Sequence, residues 1–285
     1  MAGKPTPSAA PIGVFDSGVG GLTVLQALRR SLPGERFLYL GDTARLPYGT
    51  KSRSTVVRYA QQATRILVDR GVKALVIACN TASAVALAEL QARYAPLPVF
   101  GVVEPGADAA AAVSATGRVL VLATESTVSG GAYQRALLTR RPRLEVLARP
   151  CPLLVTLAEE GRHDGPLVDL ALREYLRGML SGHGPRRVNA LLLGCTHFPV
   201  FRPALARILG DAGFADVRVV DSAETTARAV AAELEAGHVA KAAAGRPAGG
   251  AAGLALLATD GRERFRRVGA YFLHHPIDDV ELVDL

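Results

Sequence analysis

The 285-residue sequence has no tryptophan, three cysteines, and only four lysines among its 33 basic residues. Each shortage excludes something. Cys79, Cys151 and Cys195 are too few for a disulfide framework, so reduced thiols are expected. There is no CxxC pair and no clustered histidine of the kind that holds zinc, so no metal is expected. No apolar run approaches the roughly eighteen residues of a membrane span, and the run 190–193 is far too short. The first ten residues, MAGKPTPSAA, have no apolar centre and do not read as a signal peptide. The expected setting is cytoplasmic, with no membrane partner.

The formal net charge of +7 raises the question of nucleic acid. The charge is mostly arginine. Its clusters, Arg140-Arg141 with Arg143, Arg186-Arg187, and Arg264 with Arg266-Arg267, are scattered along the chain. They are flanked by acids and lack interleaved aromatics, so they read as solvated surface and nucleic acid is not the expected partner.

What is present is a packed core and a regular alternation. Hydrophobic residues make up 49% and charged residues 21%, which supports a globular fold. Short apolar runs at 12–15, 37–40, 74–78, 98–103, 118–123, 144–148, 190–193, 217–220 and 254–258 predict strands. Helical periodicity lies between them at 22–30, 53–70, 83–94, 167–180 and 223–235. This pattern predicts an α/β fold with parallel sheets covered on both faces. In such folds functional residues gather at the carboxyl ends of strands. Asp16, Asp42, Cys79, Thr124 and Cys195 all follow a predicted strand. The stretch 237–253 is Ala/Gly-rich and reads as a surface loop or fraying helix end.

Two segments align without gaps: KALVIACNTAS at 73–83 and NALLLGCTHFP at 189–199. The matching cysteine is what lifts the pair above the general similarity of strand sequences. GVFDSG at 13–18 pairs loosely with LVLAT at 120–124. The repeat predicts two pseudo-symmetric units facing each other, with a site in the cleft between them. The expected first unit is 12–101 rejoined by 215–285, with 217–220 returning to it. The second is 102–214, and 1–11 is a mobile tail.

Cys79 and Cys195 each stand at a strand end before a helix, where the backbone dipole is expected to lower a thiol pKa. A lone cysteine there is usually a small buried apolar residue. The polar followers Asn80-Thr81 and Thr196-His197, which a core position does not need, argue against that here. Cys151, among prolines and aliphatics, reads as structural. Two facing thiols suit racemisation, in which one removes a Cα proton and the other returns one to the opposite face. The turn DSGVGG at 16–21 is able to bind an anion through backbone N–H groups, or is an ordinary tight turn. Asp16 either tunes a thiol or caps a helix. The polar loop 41–52 is placed to carry substrate contacts. His197 is a candidate to tune Cys195. His163, His183, His238, His274 and His275 attract no role.

Taken together, GVFDSGVGGLTV at 13–24, GDTARLPYGTKS at 41–52, ACNTAS at 78–83, VEPGA at 103–107, CPLLV at 151–155 with EEG at 159–161, LGCTHFP at 193–199 and VDSAE at 220–224 resemble the cofactor-independent glutamate racemases of the aspartate/glutamate racemase superfamily. The resemblance implies L-/D-glutamate interconversion without pyridoxal phosphate or another cofactor, and D-glutamate for peptidoglycan. It implies that Cys79 serves the D-glutamate proton and Cys195 the L-glutamate proton. Asp16 would support Cys79, His197 would support Cys195, and Glu159, counted with the catalytic residues, would lie near the second site. Asp16, Ser17, Tyr48, Gly49, Asn80, Thr81, Thr196 and His197 would contact substrate. Thr156 departs from the pattern, standing where proline is usual. Aspartate, one methylene shorter, stays open as an alternative substrate. A homodimer is the expected assembly, and DNA gyrase binding, reported for some members, is a subordinate second reading.

Overall fold

The computed structural model describes residues 8–178, 180, 187–242 and 253–285. The chain runs β1 (Ile12–Asp16), α1 (Leu22–Ser31), β2 (Phe37–Gly41), α2 (Arg53–Asp69), β3 (Ala74–Ile77), α3 (Asn80–Tyr94) and β4 (Val99–Gly101). It continues through α4 (Val103–Val113), β5 (Arg118–Ala123), α5 (Glu125–Ser129), α6 (Ala132–Arg140), β6 (Glu145–Pro150), α7 (Pro152–Glu159), α8 (Pro166–Leu176) and β7 (Ala190–Gly194). The last part holds α9 (Arg202–Asp211), β8 (Arg218–Asp221), α10 (Ser222–Glu235), β9 (Leu254–Ala258), α11 (Arg262–Leu273) and β10 (Glu281–Leu282). Short 3-10 turns occur at Tyr48–Thr50 and Phe198–Phe201.

The strands form two parallel sheets, ordered β10-β9-β2-β1-β3-β4 and β6-β5-β7-β8. Their cores match: β2-β1-β3-β4 corresponds to β6-β5-β7-β8, and the repeated segments fall on the equivalent strands β3 and β7. Strands such as β1, β3 and β7 are buried along their whole length. A strand covered on both faces has to be apolar at every position, which is why these segments read as runs rather than alternations. Register brings the functional ends level. Asp16 pairs with Gly41 and Phe15 with Ile77 in one sheet. In the other, Ala123 pairs with Gly194 and Pro150.

Helix starts follow local chemistry. Ser52 caps α2 by accepting from Thr55 N, and the Asp221 carboxylate caps α10 by accepting from Ala223 N and Glu224 N. Three expectations change. The strand at 217–220 does not return to the first unit: β8 pairs with β7 at the edge of the second sheet. Its short connection from β7 through α9 leaves it beside its own sequence neighbour, and the chain reaches the first sheet only at β9, beside β2. The tail is also more ordered than expected near its end. Lys73 Nζ donates to Ser8 O at 2.9 Å, and Lys73 N donates to Pro11 O at 2.9 Å. Lys73 itself is buried in a 2.5 Å ion pair with Glu35. Within the expected loop 237–253, Val239 is buried and Ala242 N donates to Glu35 Oε1. Residues 1–7, 179, 181–186 and 243–252 lie outside the described residues, so the expectations placed on His183, on Arg186 and on most of that loop do too.

Candidate active site

Cys79 follows β3 and is the N-terminal cap of α3. Its sulfur accepts from Ala82 N at 3.5 Å, and its thiol donates to Ser17 Oγ at 3.3 Å. The side chain is buried. Burial, and next the negative charge of Asp16, push the thiol up to about 12, and the contacts with Ser17 and Ala82 N–H offset only part of this. The lowering expected from the helix terminus is present through Ala82 N–H but is outweighed at Cys79. Desolvation of a buried thiolate outweighs one helix end.

Asp16 closes β1 and is fully buried. Its Oδ2 accepts from Gly18 N at 2.9 Å, and Oδ1 has no protein partner. Burial raises its pKa, against the opposing charge of His197 and the N–H groups of Gly21 and Gly18. Asp16 does not cap α1, whose first turn has no side-chain cap. Nor does it line the cavity. It holds the Ser17-Gly18 turn from beneath.

Cys195 follows β7 at the equivalent place in the second sheet. Its sulfur lies 3.7 Å from His197 Nδ1, and His197 Nε2 lies 3.2 Å from Glu159 Oε1. His197 is buried, which by itself disfavours the imidazolium. The hydrogen bonds and negative charge of Cys195 and Glu159 overcome that and lift its pKa to about 10. Glu159 ends α7. Burial opposes its charge, but His197 and Arg264 hold it below the ordinary carboxylate value. The imidazole also meets Phe272 edge-on, at 5.6 Å between centroids and 88° between planes. Gly20 leaves room for it: a Cβ there would stand 2.6 Å from His197 Cε1 and Nδ1.

Both thiols open onto one cavity of about 370 Å³, whose walls come from both units. Ser17, Tyr48, Gly49, Asn80, Thr81 and Thr196 line it with His197 and Glu159. Some of these side chains are engaged elsewhere. The Tyr48 hydroxyl donates to Asp42 Oδ2. Asn80 Nδ2 donates to Tyr133 Oη at 2.6 Å and to Ser222 Oγ at 3.2 Å, leaving Oδ1 buried without a protein partner. Thr81 Oγ1 shares a hydrogen bond with Thr124 Oγ1 at 3.0 Å.

Cys151 stands apart. It is buried, its thiol donates to Arg149 O at 3.4 Å, burial pushes it up to about 12, and it does not line the cavity. Among the described residues, no group of three or more His, Cys, Asp and Glu is arranged to hold a metal ion. No described helix is long and apolar enough to cross a membrane.

Thr124, Thr156 and Arg264 are among the lining residues that carried no site assignment in the sequence. Thr124 had a signal, its place after β5 in the repeat. Arg264 was read as solvated surface. Instead its Nη2 donates to Glu159 Oε2 at 3.0 Å and its Nη1 lies 3.7 Å from Glu160 Oε1. Its partners lie a hundred residues earlier in the chain, so no local pattern points to them.

The Asp/Glu/Hydantoin racemase family profile matches residues 12–230. A glutamate racemase of Koribacter versatilis is 45% identical, over 96% of this chain and 97% of that one. A Geobacter metallireducens glutamate racemase is 46% identical, over 96% of each. Among solved structures, Thermus thermophilus glutamate racemase in complex with β-chloro-D-alanine superposes with a TM-score of 0.84 at 43% identity, covering 98% of both chains. The Francisella tularensis glutamate racemase in complex with D-glutamate gives 0.86 at 35% identity, again over 98% of both.

Proposed function

The chain belongs to the Asp/Glu/Hydantoin racemase family, and we propose that its reaction, the interconversion of L- and D-glutamate, runs between the thiols of Cys79 and Cys195. The reaction needs no cofactor, and its D-glutamate serves peptidoglycan synthesis, as in the related racemases. The observation that carries the mechanism is that two cysteines at equivalent strand ends face one cavity from opposite units. Substrate held between them presents Cα to one sulfur on each side. One thiolate removes the proton and the other thiol donates its own to the opposite face, which inverts the centre.

The protonation of Cys79 suits it to one role in the exchange. Cys79, held up at about 12, is a proton-bearing thiol at neutral pH. With Cys195 as base on L-glutamate and Cys79 as acid, the product is D-glutamate. The reverse direction exchanges the roles, with Asp16 beside Cys79 and the His197–Glu159 pair beside Cys195. Cationic His197 presents an N–H toward the Cys195 sulfur, where a buried thiolate has to be tolerated. The buried Asn80 Oδ1 supplies an acceptor for the substrate ammonium. Backbone N–H groups of Ser17, Gly49 and Thr196 and the hydroxyls of Thr81 and Thr124 supply donors for its carboxylates.

We take 12–101 with 254–285 as one unit and 102–221 as the other, α10 packing between them against α1 and α4. Closure of this cleft would shed water from both thiols. A homodimer remains the proposed assembly and the cytoplasm the proposed location. Assay of purified protein with each enantiomer of glutamate and aspartate tests the reading. Turnover of glutamate with little on aspartate is expected, and equal or better activity on aspartate would overturn the substrate assignment.

A further inference from the structure

One buried side chain outside the cavity touches both halves of the thiol pair. Tyr133 lies on α6, is 1% exposed and does not line the cavity. Its hydroxyl accepts from Asn80 Nδ2 at 2.6 Å, and Asn80 directly follows Cys79. Its ring lies against Gly194, which directly precedes Cys195. A Cβ at Gly194 would come within 2.7 Å of Tyr133 Cε2. The other ring edge faces Gly106 on α4, at 3.4 Å from a Cβ built there. Asn80 Nδ2 also reaches Ser222 Oγ, at the start of α10. The ring is thus clamped between backbone that leads into one cysteine and a side chain that anchors the helix begun by the other.

We propose that Tyr133 is a positioning residue for the racemisation, a strut that sets the separation of Cys79 from Cys195 across the cleft. The inference rests on the two-thiol reading above. The contacts are short and buried, and Asn80 Nδ2 has one further partner, Ser222 Oγ at 3.2 Å. Gly194 is hemmed by the ring on one side and Ala123 Cβ, at 3.2 Å from its built Cβ, on the other. Asn80 is the first residue of α3, so tilting its amide tilts the turn that carries the Cys79 sulfur. The two contacts can also be altered separately. Removing the hydroxyl frees the Cys79 side and leaves the ring on Gly194. Adding a methyl at Gly194 forces the ring and the Cys195 backbone apart and removes no hydrogen-bonding group.

The test is a pair of variants, Y133F and G194A, assayed with glutamate deuterated at Cα in each enantiomer. The two enantiomers are equally stable, so kcat/KM falls together in both directions, and the affected face has to be read from isotope effects. Loss of one buried hydrogen bond predicts a fall of about tenfold in kcat for Y133F. Its primary isotope effect should rise with deuterated D-glutamate, the face assigned to Cys79, and fall with deuterated L-glutamate. G194A should show the opposite pattern. Y133F alone suffices if G194A fails to fold. Unchanged kcat in Y133F overturns the proposal, and so does a lower kcat with both isotope effects equal to those of the parent chain, the result of mere loss of stability. A parent chain that does not racemise glutamate would instead sink the functional reading on which the proposal stands.

Discussion

The Cys79 and Cys195 halves share their backbone and differ in their charges. Each cysteine follows the same strand of a matching four-strand order. In the aligned segments Asp16 stands opposite Ala123, and Thr81 stands opposite His197. So the first half has a buried acid where the second has a methyl group, and the second has a buried cation where the first has a hydroxyl. Cys79 is pressed toward its protonated form by burial and by Asp16. Cys195 is faced by an imidazolium whose pKa is lifted to about 10 by Cys195 and Glu159. The duplicated scaffold brings two sulfurs to one cavity, and its divergent neighbours hold Cys79 toward the thiol form.

The comparison breaks most sharply at the sulfurs themselves. C79S and C195S should each lower racemisation by on the order of a thousandfold, since a serine hydroxyl is a far weaker acid. Each variant should still exchange the Cα proton on the face whose thiol remains, as followed by deuterium uptake from either enantiomer. C151S should leave turnover near that of the parent chain. A dead C151S beside an active C195S would refute the assignment of the pair.

The next effect belongs to Gly20, whose added methyl would stand 2.6 Å from His197. G20A should displace the imidazole and cost about a hundredfold in kcat, within the usual range for a misplaced acid/base partner. A variant with parental kcat would show that His197 placement is unimportant.

E159Q tests the charge difference directly. His197 has its folded pKa raised above the ordinary value, so its cationic form is complete at neutral pH and is lost as pH rises through about 10. Its contribution to stability is likewise fully present below the unfolded histidine value and is lost as pH rises through about 10. Removing the Glu159 carboxylate lowers that limit. The alkaline limb of kcat/KM should move toward neutral pH in E159Q, and an unmoved limb would detach Glu159 from His197.

R264Q should have the smallest effect. Arg264 is partly exposed, and an ion pair of that kind contributes about 1 kcal/mol or less, roughly fivefold in rate at most. A loss larger than that of E159Q would mean that Arg264 meets substrate itself rather than only steadying Glu159.

Much of this molecule was determined by its sequence alone. Strand-length apolar runs report burial on both faces, so the parallel α/β fold and most of its elements were legible without coordinates. The repeat around Cys79 and Cys195 pointed to two equivalent strand ends, because a duplicated unit keeps its register. The motifs placed Asp16, His197 and Glu159 beside the thiols. What the sequence left undecided depends on groups distant along the chain. Local pattern says nothing about which sheet edge accepts β8, and 217–220 was assigned to the wrong unit for that reason. Helix position argued for an acidic Cys79 thiol, but its protonation is governed by how completely folding excludes water and how near Asp16 is brought. Arg264 on Glu159, and Tyr133 between Asn80 and Gly194, are contacts across the cleft. They come into being only when the two units pack together.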